Sequence, residues 1–258
     1  MQQYRLAGLA GNNGAGTKPI PYAQYLNLWR GSYSAPLPDE SYVRLQQNAS
    51  WAFGYTFVSA FVYNDPYASY DSDVVPVMFS SPGDGSPTET FYDVAETNRQ
   101  SRNLGPALVR LVSTDIRMIP GSGKSVSGTG LAQWNTRHTF NKAGGVNTGG
   151  YTDYITAITP ITGLGGGTSP TYNDVLIGYS KPLLADNSGA TFVDGLHFMI
   201  VNGASQGTAA ASAQWYRLAF DFTGSAFDSL VRLSRDTGQV ELVMLTSTGG
   251  STYSLDLN

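Results

Sequence analysis

The chain has no cysteine, two histidines, four glutamates and only 13% charged residues among its 258. Without cysteine there are no disulfides and no thiolate metal sites, a composition that fits a secreted bacterial protein as well as a cytosolic one. His138 and His197 lie far apart in sequence, which disfavours a histidine-based zinc site or a Ser-His-Asp triad. The net charge is −4 and no Lys/Arg run occurs, so neither nucleic acid nor an anionic membrane has an electrostatic footprint to meet. No window approaches the roughly 20 apolar residues of a membrane span. The opening MQQYRLAGLAGNNG lacks a basic stretch followed by an apolar core, so no signal peptide is read in this chain; an extracellular or periplasmic location for the intact protein would place its signal upstream.

What is present is 41% hydrophobic residues and 16 tyrosines, with much of the polarity carried by Tyr, Ser, Thr, Asn and Gly. Such surfaces hydrogen-bond neutral partners better than ions. Residues Tyr4 to Ala10 read as the last turns of a helix stopped at Gly11. Ile20 to Trp29 is aromatic and apolar, as expected for a strand buried on both faces. Asp39 caps a helix with Tyr42, Val43, Leu45, Ala49, Ala52 and Phe53 on its apolar side, Arg44 and Gln47 more exposed, and Gly54 as its stop. Tyr55 to Tyr63 is a second buried strand. Helical character resumes from Glu89 to Thr114, with a break or kink expected at Gly105-Pro106.

This rhythm of strand, helix, strand, helix is that of a parallel barrel. The expected fold is therefore α/β plus all-β: an incomplete (β/α)8 TIM-barrel segment over 1–120, a Gly/Ser/Thr-rich connector over 121–170, and an antiparallel β-sandwich over 171–258. The sandwich strands are expected at Val175 to Tyr179, Leu196 to Val201, Gln214 to Phe222, Leu230 to Leu233, Val240 to Leu245 and Tyr253 to Leu257. Asp236-Thr237-Gly238 reads as a tight hairpin turn with Gly238 at positive φ. A barrel strand starting at Ile20 would expose an unpaired edge, from which self-association is expected.

Several short motifs fall to plainer readings. Gly123-Lys124-Ser125 lacks the earlier glycine of a phosphate-binding loop, because position 118 is Met118. Asp71 and Asp73 lack the glycine and distal glutamate of an EF-hand. Asn48-Ala49-Ser50 matches a glycosylation acceptor but falls inside the expected helix. In the barrel arrangement, the strand ends gather Gln24, Asn27, Trp29 and Arg30 with Tyr63, Asn64 and Asp65. Aromatic faces with neutral amides and a carboxylate suit an oligo- or polysaccharide, since a pyranose packs its apolar side on rings and offers its hydroxyls to amides. No metal or cofactor is expected.

The segments IPYAQYLNLWRG, LPDESYVRLQQNASWAFGYTFVSAFVY and ETNRQSRNLGPALVRLVSTDIRMIPG, followed by DVLIGYSKPL, LHFMIVNG, YRLAFDF and VRLSRDTGQVELVML, resemble the last barrel strands, closing helix and C-terminal β-sandwich of bacterial TIM-barrel glycoside-hydrolase-like proteins. The resemblance spans about Tyr4 to Leu257, with Ser69 to Pro87 and Lys124 to Pro170 as unmatched insertions. It implies the C-terminal portion of a carbohydrate-active protein that acts on or binds glycans. The first six strands of such a barrel are missing, and glycoside hydrolysis generally needs two carboxylates, whereas Glu40, Glu89, Glu96 and Glu241 all fall away from the strand ends. Catalytic completeness is therefore not expected. The alternative from another class is a non-catalytic β-sandwich for carbohydrate binding or surface adhesion, with Trp134, Trp215 or Tyr216 as contacts.

Overall fold

The computed structural model describes residues 1–28, 38–61, 77–80, 85–121, 125–134, 154–161, 174–183, 197–203, 215–224 and 229–257. The chain opens with helix α1 (Gln2–Ala10), closed by Gly11 at φ 70°. Strand β1 (Ala23–Asn27) leads to helix α2 (Glu40–Ala52) and strand β2 (Phe57–Phe61). Asp39 caps α2, its carboxylate accepting from the Tyr42 amide at 2.8 Å, and Gly54 turns the chain out at φ 80°. β1 and β2 pair in parallel, from Ala23 opposite Phe57 to Asn27 opposite Phe61.

Helix α3 (Glu89–Leu108) is continuous, although Pro106 lies within it. A proline removes one intrahelical bond to the residue four positions earlier, and in the last turn that loss shortens the helix instead of breaking its middle. Strand β3 (Leu111–Ile119) follows at once. The remaining strands are β4 (Ala132–Gln133), β5 (Ile155–Ile161), β6 (Val175–Pro182), β7 (His197–Asn202), β8 (Trp215–Asp221), β9 (Leu230–Leu233), β10 (Val240–Val243), β11 (Thr246–Gly249) and β12 (Thr252–Leu257).

Two four-stranded sheets carry most of these, ordered β4-β3-β6-β7 and β11-β12-β8-β5. Alternation decides the facing residues. From β6, Val175, Ile177 and Tyr179 meet Tyr216, Leu218 and Phe220 of β8 and Ile155 and Ile158 of β5, with Trp134 and Phe222 completing the core. The Trp134 indole N–H donates to the Tyr179 hydroxyl at 3.0 Å, so the polar tips of both buried rings are matched. The opposite side of β6 is covered as well: Leu176 packs with Ile116, Phe53 and Tyr55. Gly178 lies there against the end of α2, where a Cβ would stand 2.1 Å from the Ala52 carbonyl oxygen.

These pairings overturn the expected barrel segment. Among the described residues the parallel sheet has two strands, because β3 does not add to β2; it runs antiparallel to β6 over eight paired positions, against the five that join β1 to β2. Among the described residues, only β1–β2 and the short β3–β4 contact are parallel. Of the described residues, 41% are strand and 25% helix, so the molecule is predominantly β and is not a TIM-barrel segment. The sheet content is compatible with a β-sandwich. Its two sheets draw β3, β4 and β5 from before residue 171 as well as the later strands. Longer ladders bury more backbone and side chain, which accounts for β3 joining β6.

Polar links join the layers. Arg5, 4% exposed, donates from Nε to Ser113 Oγ at 2.8 Å and ties α1 to β3. Burial pulls its pKa down, with Tyr22 and Asp115 acting in the other direction. The Tyr22 hydroxyl donates to the Phe53 carbonyl at 2.6 Å and the Tyr55 hydroxyl to the Met1 carbonyl at 3.0 Å, and burial pushes both phenols up to about 12. Gln47, expected on the exposed side of α2, is fully buried, with no hydrogen-bond partner for its amide among the described residues.

Candidate functional site

In a parallel pair, directly opposed residues share a face and successive residues alternate. Tyr25, Asn27, Phe57, Ser59 and Phe61 therefore point to one side of β1–β2, together with Ala23. Gln24, Leu26, Val58 and Ala60 point to the other. Leu26 and Leu28 enter a core with Val43, Val77, Met78 and Val94, against which Val58 and Ala60 pack. Gln24 donates to the Ser50 hydroxyl on α2, which itself donates to the Gln46 carbonyl at 2.6 Å.

The first face is open. Tyr25 is 70% exposed, Phe57 62% and Phe61 52%. The Tyr25 and Phe61 rings lie 5.7 Å apart at 60°. Neither strand, AQYLN or FVSAF, contains a charged residue. The face thus offers three aromatic rings flanked by one amide and one hydroxyl.

A side chain of α2 anchors this face from behind. The Asn27 backbone N–H donates to Gln46 Oε1 at 2.7 Å, and Gln46 Nε2 donates to the Asn27 carbonyl at 2.9 Å. The even-numbered residues of β1 bond toward β2, as the Tyr22 carbonyl accepting from Thr56 and the Leu28 amide donating to Phe61 show. Asn27 consequently turns its backbone to the outer edge, where the Gln46 amide takes the place of another strand. This fixes Asn27 while leaving it exposed on the aromatic face.

Of the residues expected at a sugar site, Asn27 is on this face and Gln24 is on the opposite one, engaged with α2. Trp29, Arg30, Tyr63, Asn64 and Asp65 lie outside the described residues. Tyr25, Phe57 and Phe61 were not singled out from sequence, because both strands read as buried on two faces. The signal was present in the alternation of Tyr25 and Asn27 with Leu26 and Leu28, and of Phe57, Ser59 and Phe61 with Val58 and Ala60. The contacts named for the sandwich alternative fare otherwise: Trp134 and Tyr216 are buried in the core, and Trp215 is half-buried.

The four glutamates lie elsewhere. Glu40 pairs with Arg44, Glu96 with Arg99 at 2.6 Å and Glu241 with Arg232 at 2.6 Å, while Glu89 sits in the first turn of α3. Hydrogen bonds from Arg99 and Gln100 hold Glu96 down at about 2. Asp93 is pushed up to about 6 by burial and then by Glu40 and Glu89, with Arg44 opposing. No group of three or more metal-ligating side chains occurs among the described residues, and no helix there is long and apolar enough to cross a membrane. No family model, no curated protein and no solved structure matches the chain.

Proposed function

We propose that this chain is a glycan-binding protein that seats the apolar side of a sugar ring on Tyr25, Phe57 and Phe61, with Asn27 and Ser59 taking ring hydroxyls, and that it does not cleave what it binds. The observation that carries this reading is the uncharged, outward-facing set of three aromatic rings on β1–β2. Each ring side chain offers roughly 150–250 Å² when fully exposed, so at these exposures the three present about 370 Å². Two copies covering each other there would bury about 740 Å², short of the roughly 1,000 Å² a stable protein interface needs. The area suits a small amphipathic ligand better. The absence of charge favours a neutral sugar, because no ion has to be stripped of water when the ligand docks. Support for a role without turnover is that neither strand of this face carries a carboxylate and that all four glutamates lie on other elements.

Affinity electrophoresis against a panel of neutral polysaccharides, followed by calorimetry with oligosaccharides of the retained polymer, tests the reading. Tyr25→Ala and Phe61→Ala are each expected to weaken binding about tenfold, the loss of roughly 1.4 kcal/mol of ring stacking and burial. A reducing-sugar assay is expected to stay flat. Retention of no polysaccharide, or affinities untouched by both substitutions, would sink the proposal.

A further inference from the structure

Asparagine precedes glycine twice in this chain, at Asn13-Gly14 and at Asn202-Gly203, and both sites read Asn-Gly-Ala. The pairing matters chemically because glycine, with no Cβ, leaves its backbone nitrogen open to the carboxamide carbon of the residue before it. The fold sets the two sites apart.

Asn13 sits in the turn after α1, where Asn13, Gly14 and Ala15 are all exposed and no described atom lies within 4 Å of a Cβ placed on Gly14. The Gly14 N–H donates to the Gly11 carbonyl at 3.3 Å, longer than the roughly 3.2 Å limit of a good bond of this kind. The carboxamide is held above the turn, Oδ1 accepting from the Ala15 N–H at 3.1 Å and Nδ2 donating to the Thr17 hydroxyl at 3.3 Å. A donor on Oδ1 stabilises the negative charge that gathers there when Cγ is attacked.

Asn202 ends β7 and lies opposite Val175 in the ladder. The Gly203 N–H donates to the carbonyl of buried Asp174 at 2.7 Å, and a Cβ on Gly203 would stand 2.6 Å from the Asp174 Cβ. The Asn202 Oδ1 also accepts a hydrogen bond, from the Tyr216 hydroxyl at 3.4 Å, so the difference between the sites lies at the attacking nitrogen. At Gly203 that nitrogen is engaged and walled in; at Gly14 it is open.

We propose that Asn13 is a site of spontaneous deamidation and that the fold spares Asn202. The Gly14 nitrogen gives up its proton to solvent and bonds to Asn13 Cγ. The Cγ–Nδ2 bond then breaks, and ammonia leaves with a proton taken back from solvent, closing a five-membered succinimide. Water opens the ring at either carbonyl, giving aspartate, or isoaspartate whose main chain runs through Cβ. Nothing is oxidised or reduced. Each product adds one negative charge, taking the net charge from −4 to −5 (−4 − 1). The isoaspartyl form also lengthens by one methylene a turn tied by Gly16 N–H to the Ala10 carbonyl and by Ile20 N–H to the Gly8 carbonyl, both at 2.9 Å.

The test keeps the whole folded chain in mildly alkaline buffer enriched in heavy water oxygen and samples it by peptide mass mapping. Asn13 is expected to take up one heavy oxygen, with isoaspartate among the products, at least about tenfold faster than Asn202. In strong urea, where the Gly203 bond to Asp174 is gone, the two rates are expected to converge to within about twofold. Gly14→Ala, which sets a Cβ beside the attacking nitrogen, is expected to slow the reaction at Asn13 severalfold. An Asn13 that stays an amide, an Asn202 that keeps pace with it in the folded chain, an Asn202 still protected in urea, or an Asn13 rate indifferent to Gly14→Ala would each overturn the proposal.

Discussion

Gly178→Ala tests how closely the helical layer sits on the sandwich. Gly178 lies inside β6, the strand held between β3 and β7, opposite Ile116 on one side and Met199 on the other. A methyl group there would stand 2.1 Å from the Ala52 carbonyl oxygen and 2.8 Å from both the Ala52 carbonyl carbon and its Cα. A relaxed carbon-to-oxygen approach is about 3.4 Å, so α2 and β6 have to separate by about 1.3 Å. Both partners are main chain, one in a helix and one in a central strand, so no side-chain rotation relieves the overlap. The cost belongs at the upper end of overpacking, about 3 kcal/mol. For a chain of this size that lowers the melting temperature by roughly 6–12 °C. Calorimetric or circular-dichroism melting would read it. Ala52→Gly is expected not to rescue Gly178→Ala, because the obstruction is a carbonyl. A Gly178→Ala melting point within about 1 °C of wild type would refute the close approach.

Three further predictions concern buried or crowded polar groups. Asp93, held near 6 instead of the ordinary 3.8, binds its proton more tightly folded than unfolded, so it costs nothing at low pH and destabilises progressively as pH rises from about 4 to 6. Asp93→Asn is therefore expected to stabilise by about 1 kcal/mol at pH 7, after discounting for solvent screening, and to change little at pH 4; equal urea midpoint shifts at both pH values would contradict this. Gln47→Met replaces a buried, unbonded amide by an apolar side chain of similar length, and is expected to gain about 1–2 kcal/mol in urea unfolding; a loss of that size would mean the amide is bonded after all. Tyr179→Phe removes the hydroxyl that accepts the Trp134 N–H and is expected to cost about 1 kcal/mol, with a shift in tryptophan fluorescence that an indole elsewhere would not show.

How much of this was legible in the sequence depended on whether the signal was local. The α2 cap at Asp39, its stop at Gly54 and the hairpin turn at Gly238 are set by side-chain chemistry and backbone freedom within a few residues, and each appears where the sequence puts it. Leu111 to Thr114 was harder: read as the end of a helix, it opens β3, because the β-branched and apolar residues of this strand acquire a long ladder on β6, some 60 positions away. That same long-range choice left two strands in the described parallel sheet and removed the barrel. Gln47 illustrates the converse problem, since helical periodicity placed it outward while packing on α2 closed over it. For the candidate site, the strands were legible but their solvent side was not, because an aromatic residue reads as core until its neighbours are known.

The strand order β11-β12-β8-β5 has a consequence for the chain during its synthesis. The last described strand is not an outer one: Leu257 lies opposite Tyr216, and Thr252 opposite Asp221, with β11 on the far side. From Asp221 to Leu257 is 36 further residues (257 − 221), so β8 waits roughly 2–7 s at ordinary rates of elongation before its partner exists. Throughout that interval the nascent β8 presents one free ladder edge and the alternating apolar side chains Tyr216, Leu218 and Phe220. Those are the features that recruit a foreign strand. Chaperone occupancy on the ribosome should therefore concentrate on chains that have passed Asp221 but not yet reached Leu257.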